Sequence, residues 1–428
     1  MKLQTSLLLL CGLSALAWLT RPAISQQLPR GLTLQEARAA ARRVSPDLAA
    51  ARAGLDAAAA RARQAGALAN PALSYAYEQT SAGGQRTSQS IATLEQPLEL
   101  TGVRGARQDA AMLRREATEA DLRAVEELVR FEVTRAYALA QAADERMTLA
   151  VRAATDFDRA QRVTGERLVA GDVSGYEARR IRLESARYAA LRAEAALARR
   201  TAYLSLATLV GAPTDSLLRS GLEPLESIPP PPAPLSLDSI LTLALRQRPE
   251  LLAAERQAAA ALAEARAVGR ERIPVPVASA GWKTERTTIG GARLDGFVAG
   301  VSFPLPFWDR RAGAVAAADA DARRSAAELD IVRRRVVREA EEAYAALLAT
   351  ADEVERLSPA VGAEAAAALR AAGTAYLEGE IPLLGWLDAV RAYHEAESIS
   401  VTLRADLHVR RAALERATGG TLFEDREP

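Results

Sequence analysis

The sequence predicts a mostly α-helical chain with a minor β part: long antiparallel coiled-coil helices and four short strands. Three observations point there. About half of the 428 residues are hydrophobic by type, yet aromatics make up only 4%, too few for several cores built around large rings. Alanine dominates the apolar content and mixes with Arg, Glu and Leu, the composition of long helices in close contact. The chain is also written twice, and each copy carries period-two segments that interrupt the helical pattern.

The elements follow in order. Residues 1–25 read as a secretory leader, with Lys2, an apolar run from Leu7 to Leu19, and "AIS" before Gln26 as a small-x-small cleavage site. The run is too short for an ordinary transmembrane helix. Cys11, the one cysteine, sits inside it behind Leu10, where a lipoprotein site wants a small residue, so simple cleavage is expected. Loss of Lys2 and Arg21 takes the net charge from +1 to −1 and leaves no thiol for disulfides or metal. Acids and bases interleave, which excludes a nucleic-acid stripe. No later apolar run reaches a membrane-spanning length, so any membrane crossing falls to strands.

The repeat is direct. "LTLQEARAAARRVSPDLAAARAGLDAAAARARQA" from Leu32 aligns with "LSLDSILTLALRQRPELLAAERQAAAALAEARAV" from Leu235, matching Pro46 to Pro249 and Pro71 to Pro274. Pro97 matches Pro304, Gly171 matches Gly379, and Gly211 matches Gly419. The first copy covers 26–211: a helix of roughly 35 residues, a β-hairpin at 71–97, a long helix at 104–170 and a return helix at 172–211. A proline-rich linker follows at 212–234, whose "IPPPPAP" suits an extended connector. The second copy covers 235–419, with a hairpin at 274–304, a long helix at 309–373 and a return helix at 381–418; a tail at 420–428 ends the chain.

Within the copies, Thr33 and Ser236 stand to cap the opening helices. Leu73, Tyr75 and Tyr77 alternate with small or polar residues, as do Phe297, Ala299, Val301 and Phe303, each giving a strand with one apolar face. In the first long helix, Leu122, Val125, Val129, Val133, Ala136, Ala140, Ala143, Met147, Ala150, Ala154 and Phe157 form a coiled-coil seam. A helix of that length extends on the order of 90–100 Å at ~1.5 Å per residue. Pro359 is expected to bend or break its counterpart.

Each strand has about the nine to eleven residues that a tilted strand needs to cross a bilayer. Four strands cannot close, and open edges are not tolerated in lipid. Several chains must therefore pool strands. Tyr75, Tyr77, Phe297 and Phe303, with Trp282 and Trp308 near strand ends, suit a lipid-facing band with interfacial aromatics. Pro97, Pro304 and Pro306 end strand pairing at a barrel-to-helix junction, and Asp309 is placed to cap the following helix.

These residues resemble the TolC-like outer membrane efflux protein family over nearly the whole mature chain. "NPAL" at Asn70, "LEQPLELTGVRGAR" at Leu94 and "VSFPLPFWDRRAGAV" at Val301 carry the resemblance, and the last is most similar to the heavy-metal branch of cobalt–zinc–cadmium type. The resemblance implies a homotrimer with a twelve-stranded β-barrel in outer-membrane lipid and a helical barrel in the periplasm of a Gram-negative-type cell. It implies a passive exit duct for a tripartite pump, with heavy-metal cations as the expected cargo. The partners it implies are a periplasmic adaptor and a proton-driven inner-membrane pump of the resistance-nodulation-division type. Loops 81–86 and 287–293 would face outward. Arg167, Leu168, Gly171, Asp172, Leu377, Gly379, Glu380 and Leu383 would be adaptor contacts, although Ser174 and Gly175 stand where the family carries larger residues.

No catalytic, cofactor or metal site is expected. There is no G-x-x-x-x-G-K, the lysines are Lys2 and Lys283, and the histidines are His394 and His408, fourteen apart on one helix without a cysteine. Glu364 and Arg370 are candidates for a gate region or for solvated helix faces. A duct for drugs or for type I protein secretion, and a periplasmic coiled-coil adaptor, are the alternative readings.

Overall fold

The structure, a computed structural model, describes residues 31–225, 236–287, 293–420 and 422. The leader, most of the proline run, the tip of the second hairpin and nearly all of the tail lie outside the described residues. The first repeat forms α1 (Leu34–Val44), α2 (Pro46–Ala65), β1 (Ala72–Ala82), β2 (Gln85–Pro97), α3 (Val103–Ala170) and α4 (Gly175–Val210). A short α5 (Thr214–Ser220) precedes the second repeat: α6 (Leu237–Gln247), α7 (Pro249–Arg270), β3 (Val277–Thr287), β4 (Arg293–Ser302), α8 (Ala312–Glu378) and α9 (Leu383–Thr418).

The single opening helix expected in each copy is two helices. Pro46 has no N–H to donate back into α1, and its ring disfavours helical backbone at Ser45 (φ −59, ψ 121). Ser45 ends α1 and starts α2, its Oγ accepting from the Leu48 N–H at 3.3 Å. Arg248 and Pro249 repeat the break. Thr33 and Glu36 form a reciprocal capping box, and Ser236 accepts from the Ser239 N–H.

The proline match also moves. α7 has 22 residues against 20 in α2, and the hairpin registers locate the shift. Ala72 pairs with Glu95, two residues before Pro97; Val277 pairs with Ser302, two residues before Pro304. Pro71 therefore corresponds to Pro276, not to Pro274.

The four strands form one antiparallel sheet in the order β1-β2-β3-β4. Each repeat supplies a hairpin, and β2 joins β3 with Pro97 opposite Val277. Among the described residues the outer edges of β1 and β4 have no strand neighbour. No helix among the described residues is long and apolar enough to cross a membrane.

α3 has 68 residues and α8 has 67, so each extends roughly 100 Å at ~1.5 Å per residue. α8 runs without interruption past Pro359. Both open from a left-handed residue, Gly102 (φ 69) and Arg311 (φ 54). Asp309 is thus not the helix cap: its Oδ1 accepts from the Arg311 N–H at 2.7 Å and braces the turn ahead of α8. An ion pair with Glu271 helps hold Arg311 in its strained conformation.

Towards the sheet α3 packs against α2 and α7, and beyond them against α4 and α9. Two cores repeat each other in residue order. Ala37, Ala41, Leu48, Val129, Val133 and Leu206 build the first; Ile240, Ala244, Leu251, Val336, Ala340 and Leu414 build the second. The expected seam contributes Val129, Val133, Ala140, Ala143, Ala154 and Phe157 as buried residues. A second stripe, unseen in the sequence, includes Ala142, which packs with Val401 and Ala405 of α9. Alanine on both sides lets α3 serve two partners at once.

Candidate functional site

The ends of this long chain carry the residues of interest. At the sheet end, Tyr75, Ala92, Trp282 and Phe297 stand in register across all four strands, and residues directly opposite each other share a face. Leu73, Leu94, Ala280 and Ala299 form the neighbouring row of that face. Tyr75, Tyr77, Trp282 and Phe297 are all exposed, and so are Phe303 and Trp308 beyond the end of β4. The opposite face alternates with them: Ser74, Thr93, Gly281 and Val298 make one row, and Glu78, Gln89, Glu285 and Leu294 another. Lys283, on that second face, meets Glu285 at 3.1 Å. Towards the junctions the sheet is apolar on the first side and polar or small on most of the other; further out, the first side carries Tyr77, Ser90, Thr284 and Asp295 in one row.

Pro97 ends β2, and both junctions then turn alike. The Leu100 N–H donates to the Leu98 carbonyl at 2.9 Å, and the Phe307 N–H to the Leu305 carbonyl at 2.9 Å. Pro304 and Pro306 alternate with Leu305 and Phe307 in the second junction, just past β4. In the first, the Leu98 N–H reaches Pro276 O at 2.8 Å, Glu99 pairs with Arg107, and Arg270 Nη1 donates to Gly102 O at 2.8 Å. The first junction is thereby tied to the second repeat.

Half-way along, Tyr137 is buried with its hydroxyl 2.6 Å from both Leu32 O and Glu223 O, beside the Leu32–Leu222 bridge. Burial pushes its pKa up to about 12. Asp144 accepts from Arg199 Nε and from the Tyr203 hydroxyl, each at 2.5 Å, and burial followed by that carboxylate raises the Tyr203 phenol. These groups hold the entry and exit of the first repeat against α3.

At the far end, the α3–α4 and α8–α9 turns meet. Arg167 Nη1 donates to Tyr376 O at 3.3 Å, and Thr164 Oγ1 lies 2.9 Å from the Tyr376 hydroxyl. Phe157 stacks on Tyr188 and Tyr376 on Trp386. Leu168, Gly171, Asp172, Leu377, Gly379 and Glu380 are exposed around these turns, while Arg167 is half-buried. Leu383 does not belong with them. It is 4% exposed, packed with Tyr376, Trp386 and Leu387, because the first turn of α9 directs it into the core beneath the tip. The exposed apolar residues that the sequence reading missed are Val169 (91%), Tyr176 (69%) and Leu384 (55%). Their signal was an apolar side chain within a few residues of each glycine turn. Ser174 is explained by local structure: its Oγ accepts from the Glu177 N–H at 3.2 Å and caps α4.

Glu364 and Arg370 are both exposed on α8. A partly buried ion pair joins the two helical hairpins elsewhere: Glu184 of α4 accepts from Arg391 of α9 at 2.6 Å. His394 lies against Tyr188 at 5.4 Å between ring centroids, and burial lowers its pKa.

His408 lines a groove with Glu145 and Arg404. Burial, then Arg411, depresses it to about 4, whereas an unfolded histidine titrates near ~6.5. Between these values the unfolded chain binds the extra proton. Stability is therefore complete above pH ~6.5 and falls as pH drops through about 4. Thermal unfolding in detergent across this window should show that loss, and His408→Leu should flatten the slope.

Comparison with known proteins adds a lineage. The model of the family described as outer membrane efflux protein matches residues 37–212 and 240–420, one segment for each repeat. The cobalt-zinc-cadmium resistance protein CzcC of Cupriavidus metallidurans is 28% identical over 384 residues, covering 88% of this chain and 87% of CzcC. The CmeC outer membrane channel of Campylobacter jejuni has a similar fold, with TM-score 0.77 and 16% identity over 90% of this chain and 85% of that one. CusC, described in relation to transmembrane channel formation, gives 0.73 and 19% over 92% and 94%.

Proposed function

The chain belongs to the outer membrane efflux protein family, and from that premise we propose that it is the exit duct of a tripartite pump, with heavy-metal cations as its cargo. It is an outer membrane efflux channel, passive rather than enzymatic. The observation that carries the finer reading is the sheet: four strands, one face apolar towards the helices, and both outer edges unpaired among the described residues. Such a sheet is stable in lipid only when closed, and three copies would pool their strands into one barrel. Tyr75, Tyr77, Phe297 and Phe303 then face lipid; Trp282, expected near a strand end, stands sixth of eleven residues in β3 opposite Phe297 and joins this row, which leaves Trp308 as the interfacial tryptophan. The Gly83–Gly84 loop of the first hairpin lies outside the cell, and the paired tips of α3–α4 and α8–α9 lie in the periplasm. There they meet an adaptor, coupled to a proton-driven inner-membrane pump of the resistance-nodulation-division type that supplies the energy.

Two observations support the metal reading. CzcC is by its name a cobalt-zinc-cadmium resistance protein. The polar sheet face, which would line the barrel, carries Glu78, Glu95 and Glu285 against Lys283, an acidic surplus that favours cations. Deletion of the gene should sensitise the cell to zinc, cobalt or cadmium by several-fold in minimal inhibitory concentration, and the gene in trans should restore tolerance. Unchanged tolerance to all metals with lost drug resistance would replace the cargo by drugs and leave the duct. A soluble periplasmic monomer would overturn the duct itself.

A further inference from the structure

The sheet face that carries Tyr75 and Phe297 changes character along its strands. Beyond the aromatic row and the polar row of Tyr77, Ser90, Thr284 and Asp295 comes a row of Gln79, Ser88, Arg286 and Arg293. Two guanidinium groups therefore stand directly opposite each other on β3 and β4. Arg86 follows one row further out, opposite Ser81, and all three arginines are exposed. Like charges opposite each other on one face of a sheet are destabilising, and this face offers little relief. Among its described strand residues the only carboxylate is Asp295, which accepts from Thr284 Oγ1 at 2.8 Å and from Arg293 Nε at 3.1 Å. Asp295 thus braces Arg293 and leaves Arg286 beside it without an acid of its own on this face. The other face has the opposite sign at this height, with Glu78, Gln89, Glu285 and Leu294 in the adjoining row. The charges are sorted by face.

Depth sharpens the observation. Arg286 stands nine residues beyond Val277, which pairs with Pro97 at the junction. At ~3.3 Å per residue and a strand tilt of about 40°, that is roughly 23 Å along the axis of a membrane barrel, close to the height of its apolar band. Aromatic, then polar, then cationic rows on one face follow the order met on leaving hydrocarbon for an anionic headgroup layer. Resting on the duct proposed above, whose face of Tyr75 and Phe297 meets lipid, we propose that Arg286 and Arg293, joined by Arg86, bind a phosphate monoester of the glycolipid in the outer leaflet. Guanidinium meets phosphate bidentately, where an ammonium acts as a point charge. With Cα atoms about 4.5–5.5 Å apart, the opposed pair can share one phosphate group. A phosphate monoester carries roughly two negative charges at neutral pH and so balances both cations, whereas a phosphodiester headgroup carries one and balances half.

Native mass spectrometry of the detergent-extracted wild-type assembly tests this with lipid A bearing its phosphate monoesters, the same lipid with the phosphates removed, and phosphatidylglycerol, a phosphodiester. The first should bind roughly tenfold more tightly than either of the others. Arg286→Gln/Arg293→Gln should erase that preference, and Arg286→Lys/Arg293→Lys should keep part of it. The comparison of lipids uses the wild-type chain, so it holds even where a variant fails to fold. Equal binding of lipid A with and without its phosphates, or an unchanged preference in the glutamine variant, would overturn the site. Phosphatidylglycerol bound as tightly as lipid A would overturn the monoester assignment. Displacement of lipid A by millimolar inorganic phosphate would overturn the lipid as ligand in favour of a free ion. Recovery of the wild-type chain as a soluble monomer would instead sink the duct reading on which the site rests.

Discussion

A chain carrying Val169→Asp together with Leu384→Asp should reach the outer membrane and assemble normally, yet fail to restore efflux to a deletion strain. Val169 and Leu384 are exposed apolar side chains beside the two turns, and those turns are held together by the Arg167–Tyr376 and Thr164–Tyr376 contacts. Exposed apolar groups beside two turns that are held together mark a docking surface. A carboxylate placed there stays solvated in the free duct but must be stripped of water against an apolar partner. Loss of a central contact typically costs about 2 kcal/mol or more, roughly thirty-fold in affinity. Purified duct and adaptor should show that loss with the trimer intact. Leu383→Asp supplies the contrast, since Leu383 is buried with Tyr376 and Trp386. It should melt the tip and lower thermal stability first. If the exposed pair leaves adaptor binding unchanged, the docking surface lies elsewhere.

Gly419→Val should be the most damaging of the three helix-terminus glycine substitutions. Gly419 sits at φ 78, and a Cβ there would stand 2.6 Å from the Gln247 carbonyl oxygen and 2.7 Å from Arg248 Cα. Backbone atoms cannot swing aside. The left-handed conformation costs a branched residue ~1–2 kcal/mol, and crowding of this kind adds ~1–3 kcal/mol. The damage falls where α9 closes over the α6–α7 break and the second core. Gly211 occupies the matching place, but its nearest obstacle is the Val44 side chain, which can rotate, so Gly211→Val should cost less. Gly171, at φ 85 with open space around it, should lose only ~1–2 kcal/mol on substitution by alanine. Circular dichroism melts of the three variants in detergent give the order, and equal losses would show that strain alone acts.

Much of this was legible in residue order. The duplication, the long helices and the alternating apolar strands are each written locally. A period of two or of three and four records which side of one element avoids water, whatever that element later meets. The prolines were legible in kind but not in role. Pro46 and Pro249 read as part of a continuous helix, yet each lacks the N–H that would continue the helix before it, and so begins a new one. Asp309 read as a cap because its chemistry suits one, but the left-handed backbone at Arg311 set the helix start two residues later.

Residue order alone yields a twofold-repeated helical chain with four membrane-length strands too few to close, because periodicity and strand number are properties of single segments. Packing in three dimensions is what buries Leu383 while leaving Val169 and Leu384 exposed, and what sets Pro71 against Pro276. Those facts depend on atoms far apart in the chain competing for the same space, and no stretch of residues carries that information alone.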